Sequence, residues 1–313
     1  MKLFLRKGVR QSIDPIHVFI YHFIKRFNAV QPAGSSTLYS LTERRRSYAL
    51  YPIIVKEFDP LKIQLIRNAT LVVQYAGKKI LVDPFLAEKG AYPPFPNSAR
   101  QDQNNPLVGL PTSIDHITEN LDAVIVTHLH LDHWDEAAKE ALPKGIKMFA
   151  QNEEDAKELG KAGFTNIEVL KENTVFGDIG LVKTKGEHGR GEILKLAGHV
   201  CGVVFQHPSE KTLYLAGDTV WYEAVEDTIE THKPEVIVVN GGDNQFLQGG
   251  SLVMGKEDIY NVYKAAPEAT ILSVHMEAVN HWMLSREELR SFLNEKGISS
   301  HVRVPNDGEA YTF

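Results

Sequence analysis

The sequence predicts an α+β domain over residues 61–313, preceded by a helical extension over residues 1–60. Two observations indicate this class. In the longer part, short apolar runs such as residues 123–126 are typical of buried strands, and the polar stretches with capping residues between them are typical of helices. The extension instead carries a single amphipathic pattern.

The N-terminal extension is predicted to contain one amphipathic helix. Asp14-Pro15 supplies an N-cap and a first-turn proline, and Ile16, Ile20 and Phe23 then follow on one face. This face would pack on the main domain or on a second copy of the chain, so a homo-oligomer is one expectation. Basic residues before and within the helix leave two alternatives open, contact with a membrane surface and a removable targeting segment.

Three strand-like runs open the main domain, over residues 63–66, 71–75 and 79–82. The third run ends at Asp83. A carboxylate there could orient a metal-bound histidine through a hydrogen bond, or it could simply end the strand. The segment that follows, residues 86–122, is rich in Pro, Asn and Gly and is predicted to be a long loop.

Strands and helices then alternate to the end of the chain. Strands are predicted over residues 147–150, 181–184, 212–216, 235–239 and 269–274, and helices over residues 134–142, 153–162, 223–231 and 257–266. Ser285 and Glu288 form a capping-box pattern that predicts the start of a last helix, ending near Lys296.

The densest group of functional side chains is Thr127-His128-Leu129-His130-Leu131-Asp132-His133, between a strand-like run and a predicted helix. His128 and His130 are two residues apart, so an extended backbone points both imidazoles the same way. Asp132 and His133 cannot share that face, but they can reach a second point nearby. Imidazole and carboxylate together suit Zn, Mn or Fe. The spacing therefore predicts two adjacent metal sites rather than a chance cluster.

This His-x-His-x-Asp-His motif resembles the signature of the metallo-β-lactamase superfamily of hydrolases. The resemblance extends over about residues 61–313 and implies an αββα four-layer sandwich, with metal ligands from five places along the chain. One position departs from the family pattern, because Arg67-Asn68 stands where many relatives have Gly-His. No role is carried over to that position.

Three later positions match the family's remaining ligands. His188 lies between glycines after a predicted strand, and its competitor His199 opens a strand rather than closing one. Asp218, in Gly217-Asp218-Thr219, matches the bridging aspartate, although it could also cap the next helix. His275 closes a strand and matches the fifth position, with His281 as the alternative and, more plausibly, a pocket residue.

By this resemblance, two divalent ions are expected, zinc first, with manganese or iron as alternatives. The first would be held by His128, His130 and His188, the second by Asp132, His133 and His275, with Asp218 between them. Asp132 and Asp218 are the predicted catalytic carboxylates, and Asp132 or a metal-bound carboxylate could carry a proton to the leaving group. Di-iron oxygen-reducing relatives carry Glu at the position of His130, so hydrolysis is favoured over redox chemistry.

The substrate is predicted less directly. Residues 188–189, 240–245 and 274–277 resemble the branch that contains L-ascorbate-6-phosphate lactonase, which implies a small lactone or ester, possibly phosphorylated. A phosphodiesterase or phospholipase D-like hydrolase is the alternative, and a metal-stabilised binding protein is the alternative outside enzymes. The candidate substrate contacts are Trp134, Asn244, Gln245 and His281.

Composition narrows the class of protein. The net charge of −6 argues against a general nucleic-acid surface. The expected partner is the small-molecule substrate that the resemblance implies. Cys201 is the only cysteine, so there is no internal disulfide and no cysteine-rich zinc site. No apolar run is long enough to span a bilayer and none resembles a signal peptide, so a cytoplasmic location is expected.

Overall fold

Two seven-stranded mixed sheets face each other in the computed structural model, which describes residues 59–313. The first sheet contains β1 (Lys62–Arg67), β2 (Thr70–Tyr75), β3 (Lys78–Val82), β4 (Ala123–Val126), β5 (Lys147–Ala150) and β6 (Asn166–Val169). The second contains β7 (Thr174–Phe176), β8 (Ile179–Lys185), β9 (Cys201–Gln206), β10 (Leu213–Leu215), β11 (Val236–Asn240), β12 (Thr270–Val274) and β13 (Val302–Arg303). The last strand, β14 (Ala310–Thr312), returns to the first sheet beside β1.

Helices cover the outer faces of both sheets. They are α1 (Ile114–Thr118), α2 (Glu136–Ala141), α3 (Glu153–Lys161), α4 (Glu192–Ala197), α5 (Glu223–His232), α6 (Lys256–Ala265) and α7 (Arg286–Glu295). No helix in this described part of the chain is long and apolar enough to cross a membrane. The amphipathic helix predicted near residue 14, with its expected oligomer or membrane contact, lies outside the described residues.

Strand β11 shows how the sequence builds the layers. Val236 and Val238 point into the cluster between the two sheets, whereas Ile237 and Val239 point to the helices outside. Both faces of the strand are therefore buried, which explains its continuous apolar run. A third cluster, with Val124 and others, lies between the first sheet and its helices. The four layers confirm the αββα sandwich.

Several elements differ from the sequence predictions. Helix α2 begins at Glu136 rather than 134, because the Asp135 carboxylate accepts a hydrogen bond from the Ala138 backbone N–H at 2.8 Å and so caps the helix. The long loop contains the short helix α1, capped by Ser113. The strand expected at His199 begins only at Cys201.

The capping box predicted for the last helix is confirmed, and it supports a stability prediction. The Ser285 side chain accepts from the Glu288 N–H, and the Glu288 carboxylate accepts from the Ser285 N–H.

We expect Ser285→Ala to lower the free energy of unfolding by ~1 kcal/mol, because the side-chain acceptor of the Glu288 N–H is lost. Urea unfolding would measure it. Ser291→Ala, on an exposed position of the same helix, is the matched control and should change stability by less than ~0.5 kcal/mol. Equal effects of the two changes would contradict the capping role.

Candidate metal centre

The carboxyl ends of several strands meet at one edge of the sandwich and lead to the predicted ligands. Strand β4 runs parallel to β3 and β5 and ends at the His128 motif. Strands β10, β11 and β12 are parallel, so Asp218, Asn240 and His275 lie at or just beyond their shared edge. Strand β8 is antiparallel to β9, which is antiparallel to β10, so β8 also ends there and leads to His188.

All of the predicted ligands converge at this edge. In each of three groups, the ligand atoms lie within 4.8 Å of one another. The groups are His128, His130 and His188; His128, His133 and Asp218; and Asp132, His133 and His275. Every member is buried except His130, which is the most accessible. His199 belongs to none of these groups among the described residues, and it is exposed.

In the first group, hydrogen bonds at the far side of two rings fix which nitrogen faces the centre. His188 Nδ1 donates to the Leu252 carbonyl at 3.0 Å. His128 Nδ1 lies 3.2 Å from Thr127 Oγ1, whose own hydrogen goes to a carboxylate. Both rings therefore present an unprotonated Nε2 to the cluster. The rings of His128 and His130 lie 4.5 Å apart, and those of His130 and His188 lie 5.1 Å apart.

The group of Asp132, His133 and His275 has the spacing of ligands on a single ion. His133 Nε2 lies 3.1 Å from His275 Nε2, and His275 Nε2 lies 3.1 Å from Asp132 Oδ2. Two nitrogens bound at about 2.0–2.1 Å to one tetrahedral zinc are roughly 3.3 Å apart. The near contact of these two imidazole nitrogens therefore fits a shared cation.

Asp218 faces two groups of ligands, one of His128, His130 and His188 and the other of Asp132, His133 and His275. Its Oδ2 lies 3.2 Å from His133 Nε2, 3.7 Å from His188 Nε2 and 3.9 Å from His128 Nε2. Its Oδ1 lies 3.8 Å from His275 Nε2. The preceding Gly217 has a φ of +69°, and a Cβ there would collide with the Cys201 carbonyl, so only glycine permits the turn that aims Asp218 inward.

Asp83 stands behind His133. Its Oδ2 accepts from His133 Nδ1 at 2.9 Å and from Thr127 Oγ1 at 2.7 Å, and its Oδ1 accepts from the Thr127 backbone N–H at 2.7 Å. A carboxylate that holds Nδ1–H leaves Nε2 free to bind a metal and fixes the plane of the ring. Of the two roles proposed from the sequence, the structure shows the orienting contact.

Two asparagines also donate hydrogen bonds to carboxylates of the cluster, and neither asparagine was predicted from the sequence. Asn68 Nδ2 donates to the Asp132 carbonyl at 3.0 Å and to Asp132 Oδ2 at 3.3 Å. Asn240 Nδ2 donates to Asp218 Oδ1 at 2.5 Å. Asn240 could have been found, since it ends a buried strand in the same way as the ligands do. Asn68 had a weaker signal, its place at the departure from the family pattern.

The side chains of the cluster adjust one another's charge. Burial alone would lower the pKa of His133, but the carboxylates of Asp218, Asp132 and Asp83 outweigh it and raise that pKa well above its usual value. Burial would raise the pKa of Asp218, but His133 and His275 hold it well below its usual range. Burial and the neighbouring histidines lower the pKa of His128 well below its usual value. The cluster therefore offers ionised carboxylates and, at His128, a neutral imidazole.

The donor set fits divalent cations. His128 Nε2 is buried without a hydrogen-bond partner, at the point where Asp218 and the first group meet. Burying an unpaired polar atom costs folding free energy, and so does crowding histidines and carboxylates in one place. Nitrogen and carboxylate oxygen ligands compensate that cost when they bind a metal such as zinc.

Among the predicted substrate contacts, Trp134 needs correction. Its side chain is buried in the cluster between the first sheet and its helices, with its ring 5.5 Å from that of Phe164. The chain turns between His133 and the N-cap Asp135, so the indole faces the core rather than the pocket. Core packing therefore accounts for this side chain.

The other three predicted contacts lie on two adjacent loops. Asn244 and His281 are buried, with Asn244 Nδ2 3.3 Å from His281 Nε2. The Gln245 backbone N–H donates to the His281 carbonyl at 2.9 Å, and Gln245 also forms an isolated bridge with Ser251. Gln245 therefore ties the loops together, whereas Asn244 and His281 have polar side-chain atoms to offer.

Comparison with known proteins assigns this chain to a family. The family model described as the Beta-lactamase superfamily domain matches residues 78–276. The chain belongs to the metallo-β-lactamase superfamily. It is 69% identical over 254 residues to the protein YddR of Bacillus subtilis (strain 168), a match that covers 81% of this chain and 100% of YddR. The resemblance drawn from the His-x-His-x-Asp-His motif is thereby confirmed.

Two solved structures are also similar to this chain. An isothiocyanate hydrolase from Delia radicum gut bacteria is 46% identical, with a TM-score of 0.77, and the match covers 80% of this chain and 99% of that one. A possible metal-dependent hydrolase from Veillonella parvula DSM 2008 is 40% identical, with a TM-score of 0.79, and the match covers 82% and 100%. The chain is therefore a metal-dependent hydrolase of the metallo-β-lactamase superfamily.

Asp83 offers a test of the orienting contacts. We expect Asp83→Ala to weaken zinc binding by about 10–100-fold, because His133 loses the partner that fixes its tautomer and ring plane. Competition with a chromophoric chelator would measure the affinity. Asp102→Ala, at an exposed loop position, is the matched control and should bind zinc as the wild type does. Wild-type affinity in a folded Asp83→Ala protein would leave Asp83 with a strand-ending role only.

Proposed function

We propose that the chain hydrolyses a small electrophile with a water activated by two divalent ions, zinc first, with manganese or iron as alternatives. The observation that carries this proposal is Asp218 facing two groups of ligands at once. His128, His130 and His188 would hold one ion. Asp132, His133 and His275 would hold the other, with Asp218 between them.

Two adjacent divalent ions supply a nucleophilic water near neutral pH and a Lewis acid for the electrophile. The protein's own groups do the remaining work. Asp83, Asn68 and Asn240 hold a histidine and two carboxylates in place through hydrogen bonds. Asp132, whose Oδ2 lies 3.1 Å from His275 Nε2, is the carboxylate proposed to take the proton of the attacking water and pass it to the leaving group.

The leading substrate class is an isothiocyanate. The support is the isothiocyanate hydrolase that is 46% identical across 80% of this chain and 99% of its own. Water adds to the central carbon of R–N=C=S and the C–N bond then breaks, which gives the amine R–NH2 and carbonyl sulfide. All atoms of water appear in the products, so no oxidant or further reactant is needed.

A small lactone or ester, possibly phosphorylated, is the second candidate. Its support is the resemblance of residues 188–189, 240–245 and 274–277 to the lactonase branch. A lactone carbonyl is also an electrophilic carbon, so the same water and the same ligands would serve. The phosphodiesterase alternative rests on less, since only the superfamily membership supports it.

A substrate panel tests the proposal. Zinc-loaded and manganese-loaded protein would be mixed with benzyl isothiocyanate, a γ-lactone, an aryl ester and an aryl phosphodiester. We expect turnover of the isothiocyanate, seen as loss of its ultraviolet absorbance and as amine formed, and its loss in His188→Ala and after chelation. His199→Ala is the matched control and should retain turnover, because His199 is exposed and precedes β9 without joining the ligand groups.

The other outcomes are informative. Turnover of the lactone alone would replace the leading substrate class but keep the mechanism. No turnover of any compound by protein shown to hold two ions would contradict the proposed function.

A further inference from the structure

His281 and Asn244 form a buried polar pair that the metal groups do not use. Asn244 is fully buried, His281 is 7% exposed, and Asn244 Nδ2 lies 3.3 Å from His281 Nε2. Each residue keeps one side-chain atom without a partner, Nδ1 of His281 and Oδ1 of Asn244. Native structures leave few such atoms unpaired inside, so each one requires an explanation.

The pair stands beside the metal ligands. His281 lies on the loop that follows β12 and His275, and Asn244 lies on the loop that follows β11 and Asn240. The charges of Asp132, His275, Asp218 and His188 all act on the His281 imidazole. The His281 imidazole therefore lies at the same edge of the sandwich as the cluster.

Packing fixes the ring of His281. Phe95 meets it edge-on with the ring centres 4.8 Å apart, and Phe246 stacks on it at 6.1 Å. Asn280, itself fully buried, holds Phe95, since its Oδ1 accepts from the Phe95 backbone N–H at 2.8 Å. These ring contacts and the contact with Asn244 restrict rotation of the imidazole, so Nδ1 keeps its direction.

The contact with Asn244 decides where the proton of the ring lies. Burial lowers the pKa of His281 to about 4, so the imidazole is neutral near pH 7 and carries one N–H. Asn244 Nδ2 is a donor and meets Nε2, which must then be the acceptor. The proton is therefore on Nδ1, and the unpaired atom is a donor.

We propose that the Nδ1–H of His281, held in place by Asn244, donates a hydrogen bond to the substrate heteroatom that gains negative charge as water adds to the adjacent carbon. This inference rests on the proposed hydrolysis. In an isothiocyanate the heteroatom is the nitrogen or sulfur, and in a lactone it is the carbonyl oxygen. A fixed donor aimed at developing charge stabilises the transition state more than the ground state.

Two variants of His281 test the role. His281→Phe keeps an aromatic ring between the two phenylalanines but has no donor, whereas His281→Asn places an amide N–H near the former Nδ1. We expect His281→Phe to lower kcat by ~100–1,000-fold with little change in KM, and His281→Asn to recover part of kcat. Zinc content and Tm of both variants are measured alongside and should match the wild type.

Several results would overturn the inference. One is a wild-type kcat in His281→Phe, and another is a rise in KM alone, which would indicate ground-state binding. If the wild type itself turns over none of the panel, the proposed function fails instead. A readout independent of activity is then the tautomer of His281, from long-range ¹H–¹⁵N correlation spectra of the zinc-loaded protein. Protonation at Nδ1 supports the inference, and protonation at Nε2 contradicts it.

Discussion

The Asp218 carboxylate is the group on which the rest of the site depends. It is the side chain that faces both groups of ligands, with nitrogens of His133, His188 and His128 within 3.9 Å of Oδ2. Burying four imidazoles and two carboxylates together would be costly in a core that needed only stability, because apolar residues would pack there without desolvating charge. The arrangement makes sense as a site for cations.

The fold brings the ligands together because the carboxyl ends of several strands lie at one edge of the sandwich. Parallel strands β10, β11 and β12 deliver Asp218, Asn240 and His275 together, and β4 and β8 deliver the motif and His188 from the same side. Hydrogen bonds also hold the start of the loop that follows β3. Buried Arg67 donates to the carbonyls of Phe85 and Ala87 at 2.6 and 2.9 Å, so the long Pro-rich loop starts from a fixed point.

Much of this could be predicted from the sequence, and the reasons are local. Apolar runs followed by His188, Asp218 or His275 show both the strand and the functional residue near its end. Both signals lie in neighbouring residues, so they can be recognised without knowing the fold. Helix α7 was predicted from Ser285 and Glu288 for the same reason.

What the sequence could not show depends on contacts between distant residues. Asn68 touches Asp132 across 64 positions, and no spacing rule connects an amide to a carboxylate at that distance. The orienting bond from Asp83 to His133 was one of two open possibilities until the register of β3 against β4 placed them together. Trp134 adjoins the ligand His133 in the sequence, yet the backbone turn after His133 directs its side chain into the core.

We propose that these side chains form two adjacent cation sites rather than one. Anomalous diffraction at the zinc edge, from crystals of the zinc-loaded protein, would distinguish the two possibilities. We expect two peaks about 3.5–4 Å apart, one contacted by His128, His130 and His188 and the other by Asp132, His133 and His275, with Asp218 touching both. A single peak at full occupancy, or peaks away from Asp218, would contradict it.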